Sequence, residues 1–199
     1  MKRVFILHGW RGNPHEPWFV WIKKELEKRK FKVIIPKMPH PATPTIHDWV
    51  PFLKNKVGKV NKNTYFIGHS VGCQTVLRYL KTLKNNEKIG GCVFVAPWMH
   101  LDEKTIEEEG EESVKIARPW TKSSINFNKV KRHANKFIAI FSDNDPFVPL
   151  DNINIFKNKL KAKIIVEHNK GHFDPSSNVT KVESALKSIL QISNKQIYK

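Results

Sequence analysis

The sequence predicts a three-layer α/β/α sandwich, in which one mostly parallel sheet of six strands lies between two layers of helices. Three observations support this fold class. Short β-rich runs alternate with helical patterns along the chain, as parallel sheets require. Most of these runs are continuously apolar, which is typical of strands that are covered on both faces. The length of 199 residues is appropriate for a single domain over residues 1–199 with a substantial core.

Six runs account for the strands, and amphipathic patterns between them account for the helices. The first helix can begin at Pro17, because proline is favoured in the first turn, and the second covers about residues 46–60. The third has an apolar face between Cys73 and Leu83, and the last repeats apolar residues at helical spacing from Val182. The predicted strands are residues 3–7, 32–36, 64–68, 91–96, 137–142 and 163–167.

The connection between the fourth and fifth predicted strands is abnormally long for a compact domain. About 40 residues separate these strands, whereas most connections have a few to about a dozen. Within it, residues 102–112 hold seven acidic residues and one lysine, a net charge of −6 in a basic protein. We predict a long, solvated and mobile loop over residues 98–136; the alternative is a small lid that covers the site and selects substrates.

Composition excludes several classes of protein. No apolar run approaches the roughly 20 residues of a membrane-spanning helix, and the apolar run after Met1 is too short for a secretion signal. Cys73 and Cys92 lie in apolar segments without metal-ligand spacing, and we interpret both as reduced structural thiols. The chain is therefore predicted to be cytoplasmic and to have no membrane span.

The net charge of the chain is +17, since 35 lysines and arginines face 18 acidic residues. Such a charge suggests nucleic acid as a partner. However, the excess of lysine is spread over the whole chain, and no arginine-rich stripe or nucleic-acid-binding motif occurs. We predict a generally basic surface without a specific nucleic-acid partner; weak attraction to anionic polymers or membranes is the alternative.

The sequence Gly-His-Ser-Val-Gly at residues 68–72 fits the Gly-x-Ser-x-Gly pattern of a nucleophile elbow. It follows the third predicted strand at once and opens the third predicted helix. A strand-to-helix turn this tight leaves no room for side chains beside the serine, which explains the flanking glycines. The turn presents the Ser70 hydroxyl and directs the helix N-terminus and the Val71 N–H at developing negative charge. Ser70 is therefore the predicted nucleophile.

A serine nucleophile needs a base, and in enzymes with this turn an acid and then a histidine follow the serine along the chain. Two histidines, His168 and His172, come after the last predicted strand. His172 is preferred, because it lies in the loop beyond that strand, where its ring can reach the serine. The loop after the fifth strand offers Asp143 and Asp145 as the acid, with Asp151 further along. The acid would hold the histidine in one tautomer.

An oxyanion hole requires two backbone N–H groups near the serine. Val71 is the candidate for one, and Trp10, in the loop after the first strand, is the candidate for the other. His8 is interpreted as a support for that loop. No zinc-binding or dinucleotide-binding motif occurs, so no metal or cofactor is expected. Five large residues are candidates for an apolar acyl pocket, with ordinary core positions as the alternative: Trp98, Met99, Trp120, Phe147 and Phe173.

With these residues identified, the chain resembles the small serine hydrolases of the α/β-hydrolase superfamily, of the YdeN and retinoblastoma-binding-protein-9 type. The resemblance covers nearly the whole chain. It includes the His-Gly pair at residues 8–9, the tryptophan-rich run 18–26, and the Met-Pro pair at 38–39 followed by Trp49. It also includes the three segments that carry the candidate catalytic residues: 68–73, 142–149 and 171–173.

The resemblance implies a compact hydrolase fold with strand order 2-1-3-4-5-6 and without the large cap of many relatives. It implies a Ser70–His172–Asp145 triad, since the acid of the family lies four residues before the proline at position 149. The implied activity is that of a carboxylesterase on small-molecule esters. Alternatives are a thioesterase, peptidase or acyltransferase with the same triad, or a protein-binding module. The Leu-x-Cys-x-Glu retinoblastoma-binding motif is absent, so binding of that type gains no support.

Overall fold

The strands of the protein form one sheet in the order β2-β1-β3-β4-β5-β6, and every neighbouring pair is parallel. A computed structural model describes residues 1–193, to which all structural statements below refer. The predicted fold class and strand order are confirmed. The strands are β1 (Arg3–Leu7), β2 (Lys32–Ile34), β3 (Thr64–His69), β4 (Gly91–Val95), β5 (Phe137–Ser142) and β6 (Lys163–Glu167).

Two groups of helices cover the two faces of the sheet. In one group α1 contacts α8, which lies against β3, β4 and β5; in the other, α2, α3, α6 and α7 contact one another in turn. No helix within residues 1–193 has the length and apolar character needed to cross a membrane. The helices are α1 (Pro17–Lys28), α2 (Ile46–Val57), α3 (Val71–Thr82), α4 (Glu103–Glu108), α5 (Glu111–Lys122), α6 (Phe127–His133), α7 (Asn152–Leu160) and α8 (Glu183–Ser193).

The central strands explain the continuous apolar runs of the sequence. Every residue of β3, β4 and β5 is buried, because helices pack against both faces of these strands. The edge strand β6 is only partly buried. Cys73 and Cys92 are both buried within this core and form no disulfide. The carboxyl ends of the parallel strands therefore meet along one rigid edge of the sheet, where the connecting loops can carry functional residues.

The segment 98–136 differs from the predicted long loop, because it contains the helices α4, α5 and α6. Its acidic residues account for part of this difference. Asp102 caps α4 by accepting the Thr105 N–H at 2.9 Å, and Glu111 and Glu112 lie in the first turn of α5. Carboxylates are favoured at helix N-termini, where the backbone N–H groups have no partner within the helix. These acidic residues therefore lie at the N-termini of two helices, α4 and α5, and stabilise them.

Buried polar contacts hold this helical segment against the rest of the protein. The indole N–H of Trp120, which is fully buried, donates to the Pro44 carbonyl at 3.0 Å. The guanidinium of Arg78 in α3 donates to the carbonyls of Trp120 and Ser123, both at 2.9 Å. Although burial lowers the pKa of Arg78 to about 10, the group stays charged at neutral pH. These contacts fix α5 over α3.

Truncation of a core phenylalanine should reduce stability strongly. Phe94 is fully buried in β4, and its ring centroid lies 6.1 Å from that of Phe156. We expect Phe94→Ala to lower the free energy of unfolding by about 3–5 kcal/mol, since the change removes apolar contacts and leaves a cavity. Urea denaturation followed by tryptophan fluorescence measures this. As a control, Val20→Ala on the exposed face of α1 should change stability by no more than about 0.5 kcal/mol. Equal effects of the two changes would contradict the assignment of the core.

Candidate active site

The turn between β3 and α3 places Ser70 in a strained backbone conformation. Its φ of 51° and ψ of −122° lie outside the regions that most L-residues adopt. The flanking glycines are required by close backbone approaches. A Cβ atom on Gly68 would lie 2.8 Å from the Cys73 nitrogen, and one on Gly72 would lie 2.6 Å from the Leu7 carbonyl oxygen. The Gly-x-Ser-x-Gly pattern thus forms the sharp strand-to-helix turn that the sequence predicts.

The structure brings the three predicted residues Ser70, His172 and Asp145 into one hydrogen-bonded row. The Nε2 atom of His172 lies 2.9 Å from the Ser70 Oγ. On the other side of the ring, Nδ1 lies 2.9 Å from Oδ2 and 3.0 Å from Oδ1 of Asp145. Because the carboxylate accepts a hydrogen bond from Nδ1–H, this tautomer leaves Nε2 free to accept the serine proton. The three side chains come from the carboxyl ends of β3, β5 and β6.

The loop after β5 holds the carboxylate of Asp145 in place. Its Oδ1 accepts the backbone N–H groups of Phe147 at 2.9 Å and Val148 at 3.1 Å. The side chain is only 1% exposed, whereas that of His172 is 12% exposed. The carboxylate is thus shielded from water and fully engaged in hydrogen bonds, and the histidine ring is the part of the pair that reaches the cavity.

Several contacts fix the backbone of the loop that carries His172. The His172 N–H donates to Ser177 Oγ at 3.2 Å, and the Gly171 N–H donates to Asn144 Oδ1 at 2.8 Å. The next residue, Phe173, has a φ of 55° and a fully buried ring, so it anchors the loop in the core. The loop after β6 is therefore joined to the loop after β5, which carries the aspartate.

His69, the second residue of the elbow motif, also contacts the loop that carries His172. Its Nε2 lies 2.8 Å from the His172 carbonyl oxygen, to which it donates. The imidazole is buried, and its edge-on packing against Trp18 has a centroid distance of 5.9 Å. Burial, followed by the charge of His172, lowers the pKa of His69 to about 3, so the ring is neutral. Sequence reasoning missed this contact, because the motif allows any residue at position 69.

Trp98 lines the cavity and also contacts the Ser70 hydroxyl directly. Its indole N–H donates to the Ser70 Oγ at 3.3 Å, and the side chain is 2% exposed. The side-chain amide of Gln74 in α3 donates to the Trp98 carbonyl at 2.6 Å and fixes the residue against the elbow. The serine hydroxyl is therefore flanked by the indole of Trp98 and by the imidazole of His172.

The loop after β1 lies next to the elbow, and both predicted oxyanion donors, Trp10 and Val71, line the cavity beside Ser70. Within residues 1–193, neither backbone N–H donates to another protein group. The neighbouring N–H of Arg11 is engaged, since it donates to the Pro41 carbonyl at 2.7 Å.

His8 supports the loop after β1 from inside the protein. Its Nδ1 lies 2.8 Å from the Gly9 carbonyl, and its Nε2 accepts the Met38 N–H at 3.1 Å. The ring is fully buried, and burial lowers its pKa. Both ring nitrogens are thus used for backbone contacts, in agreement with the supporting role that the sequence suggests.

The alternative acids and bases lie apart from the nucleophile. His168 Nδ1 is 2.5 Å from Asp143 Oδ2, and this histidine is 82% exposed. Asp151 pairs with His100 at 2.8 Å. Among the described residues, none of these four lines the cavity at Ser70. Of the candidates that the sequence leaves open, the structure thus brings His172 to Ser70, and Asp145 to His172.

A cavity of about 420 Å³ opens above Ser70. Of the five predicted pocket residues, Trp98 and Phe147 line it. The prediction is wrong for the other three, since large side chains near strand ends also serve as core. Trp120 packs against Trp49, Phe173 is fully buried in the core, and Met99 is partly buried against the core with its sulfur 3.8 Å from the Gln74 side-chain nitrogen. Four cavity residues that the sequence did not single out are Leu101, Ile106, Glu16 and Asp174.

Comparison with known proteins identifies the family of the chain. A family model described as serine hydrolase matches residues 4–191. The chain belongs to this serine hydrolase family. It is 27% identical to the putative hydrolase YdeN of Bacillus subtilis over 172 residues, which cover 86% of each chain. It is also 27% identical to the serine hydrolase RBBP9 of Rattus norvegicus over 168 residues, 83% of this chain and 78% of the relative. The resemblance found in the sequence is confirmed.

Solved structures show the same fold. The crystal structure of the ydeN gene product from B. subtilis matches with a TM-score of 0.86 and 26% identity, over 98% of this chain and all of that chain. Est1E from Butyrivibrio proteoclasticus matches with a TM-score of 0.71 over 98% of this chain and 89% of that one. Its identity is 16%, so this second match concerns the fold alone. The family identifies the protein as a hydrolase.

Proposed function

We propose that this serine hydrolase is a carboxylesterase that cleaves small acyl esters through an acyl-enzyme on Ser70. The observation that carries the proposal is the row of hydrogen bonds from Ser70 Oγ through His172 to Asp145, with distances of 2.9 Å on both sides of the imidazole. A serine hydroxyl becomes a nucleophile when a correctly oriented base accepts its proton. The cavity of about 420 Å³ above Ser70 supports a small substrate.

The first half of the reaction forms the acyl-enzyme. Ser70 Oγ attacks the ester carbonyl carbon while His172 Nε2 takes the hydroxyl proton, and the carbonyl oxygen becomes an oxyanion. The N–H groups of Trp10 and Val71 stabilise this oxyanion, since they line the cavity and have no acceptor within residues 1–193. The tetrahedral intermediate collapses, His172 returns the proton to the departing alkoxide, and the alcohol leaves.

The second half of the reaction uses the same groups in reverse. His172 takes a proton from water, the hydroxide attacks the acyl carbon, and a second tetrahedral intermediate forms in the same oxyanion hole. Collapse of this intermediate releases the carboxylic acid and returns the proton to Ser70 Oγ. Asp145 stabilises the imidazolium in both halves, because its carboxylate is fixed by two backbone N–H groups and cannot turn away.

The apolar part of the cavity supports an ester with a hydrocarbon acyl or alcohol group. Trp98, Leu101, Ile106 and Phe147 contribute this part of the wall, and they come from the loops after β4 and β5 and from α4. Burial of each methylene of a substrate against such a surface is worth about 0.8 kcal/mol. The segment 98–136 therefore contributes directly to the proposed substrate site through three of these side chains, Trp98, Leu101 and Ile106.

The activated serine is the first feature to test. We expect a fluorophosphonate probe to add one adduct to the wild-type protein and none to Ser70→Ala, as measured by intact mass. An activated serine attacks the phosphorus atom as it attacks a carbonyl carbon, and the phosphoryl oxygen then occupies the oxyanion hole. Ester turnover should fall by a factor on the order of 10⁶ in Ser70→Ala if the triad acts as a unit. Folded wild type without an adduct would sink the proposal and favour a protein-binding role.

Loss of the hydrogen bond from His69 to the His172 carbonyl should lower kcat rather than weaken substrate binding. We expect His69→Phe, which fills the buried site but cannot donate to the His172 carbonyl, to lower kcat about 10- to 100-fold with little change in KM. His69→Gln can place an amide N–H near the position of Nε2 and should recover most of this loss. Thermal unfolding of both variants shows whether they are folded at the assay temperature. If Phe and Gln variants of equal stability have the same kcat, His69 does not position the base.

A further inference from the structure

The active-site cavity carries acidic side chains although the protein as a whole has a charge of +17. Glu16, Glu109 and Asp174 line it, together with a single arginine, Arg11, within the described residues. The arginine is paired with Glu109 at 3.1 Å. The charges of Glu16 and Asp174 are thus not balanced by a lysine or arginine in the cavity wall. Both acids lie in the loops after β1 and β6. The apolar residues of the cavity come instead from the loops after β4 and β5 and from α4.

Glu16 is the more unusual of the two acids, because its side chain is nearly completely buried. The residue is 4% exposed and lies immediately before α1. Its Oε1 accepts the Asn13 N–H at 3.0 Å, but its Oε2 has no hydrogen-bond partner within residues 1–193. Burial, opposed by the Asn13 N–H and strengthened by the charge of Asp174, raises the pKa of Glu16 to about 7. A buried carboxyl oxygen without a partner is costly unless a ligand compensates it.

Asp174 lies two residues after His172 and presents a second carboxyl group to the cavity. Its Oδ1 accepts the hydroxyls of Ser176 at 2.7 Å and Ser177 at 2.8 Å, as well as the Ser177 N–H at 3.0 Å. All of these bonds use the same oxygen, which leaves Oδ2 for a ligand. Although burial opposes it, these hydrogen bonds and the charge of His172 lower the pKa of Asp174. This group is therefore ionised at neutral pH.

We propose that Glu16 and Asp174 form a recognition site for a protonated amine, so that the preferred substrate is an ester that carries an ammonium group. The inference rests on the proposed esterase function and names its substrate class. An ammonium has protons to donate and no acceptor, which matches carboxyl oxygens that lack donors. Its charge would also favour the ionised form of Glu16 and remove the cost of burying that group unpaired.

If Glu16 had a purely structural role, its substitution would affect charged and neutral esters alike. Its bond to Asn13 supports the loop after β1, which carries the candidate oxyanion donor Trp10. Loss of this support would slow the hydrolysis of every ester, whatever its charge. Glu16→Gln separates the two roles, because an amide oxygen can still accept the Asn13 N–H while the negative charge is gone. Asp174→Asn likewise keeps an acceptor for Ser176 and Ser177.

The test uses two pairs of isosteric esters that differ in one atom and one charge. In the first pair the charge is on the alcohol: 2-(dimethylamino)ethyl acetate against 3-methylbutyl acetate. In the second it is on the acyl group: ethyl 4-(dimethylamino)butanoate against ethyl 5-methylhexanoate. We expect wild-type kcat/KM to be at least about tenfold higher for the protonated amine in one pair, as a charged hydrogen bond allows. Product formation is measured by chromatography.

The variants show whether this preference comes from the two acids. In Glu16→Gln and Asp174→Asn the ratio of kcat/KM for the charged and neutral esters should fall about tenfold, because only the charged ester loses a charged partner. Glu111→Gln, the same change on the exposed start of α5, is the control for overall charge and should leave the ratio unchanged. No preference in either pair of wild-type reactions, or equal losses on both esters in the variants, would overturn the inference.

The pH dependence of the same ratio gives an independent readout. The groups around Glu16 are Asp174, which is ionised, His69, which is neutral, and His172, whose role as the proposed base is the same for both esters. Because Glu16 has a raised pKa of about 7, its charge is present above that pH and lost below it. The wild-type ratio should therefore increase as pH rises through 7, as long as the amine stays protonated. A ratio with the same pH dependence in Glu16→Gln would contradict the role of this residue.

Failure of this inference can be told apart from failure of the esterase proposal. If Ser70 reacts with the fluorophosphonate and the neutral esters are hydrolysed without any preference for charge, the amine site is wrong and the esterase stands. If Ser70 does not react and no ester of either pair is hydrolysed, both proposals are wrong.

Discussion

The close contact between the β3–α3 turn and the end of β1 is the constraint on which the site depends. A Cβ atom on Gly72 would lie 2.6 Å from the Leu7 carbonyl oxygen and 2.8 Å from that of His8, so only glycine allows the two backbones to approach this far. The approach presents the Ser70 hydroxyl and, at the same time, brings the loop after β1 beside the N-terminus of α3. The proposed nucleophile and both proposed oxyanion donors are therefore positioned by one packing contact rather than by separate ones.

The proposed base needs a different kind of support, because it follows the edge strand β6. This strand is only partly buried, and its loop could not be fixed by the sheet alone. Instead, His69 donates to the carbonyl of His172, Ser177 accepts its N–H, and Asp145 holds its ring. Burial keeps His69 neutral, with a pKa of about 3. The support from His69 is therefore a neutral hydrogen bond and not a second charge beside the proposed base.

The sequence could predict the six strands and the turn at Ser70, because continuous apolar runs and a short motif determine them locally. The strand order and the choice of Asp145 as the acid came instead from the resemblance to a known family. The sequence could not predict features that depend on distant residues. Trp98 and Trp120 are both large aromatic residues in the same segment, yet Trp98 contacts Ser70 whereas Trp120 donates to Pro44 in the core. The acidic residues at 102–112 indicated a solvated loop by their charge, but their positions at helix starts decided the structure. Glu16 gave no signal, since its burial follows from the loops around it.

The acidic groups of the cavity and the basic groups of the surface attract or repel a charged substrate over different distances. The net charge of +17 lies mainly on exposed lysines, whose field in solution is screened within about 8 Å at physiological ionic strength. Glu16, only 4% exposed, is screened far less, so its attraction for a cation is short in range but strong. A cationic ester is therefore not steered to the protein from a distance and gains its advantage on entering the cavity.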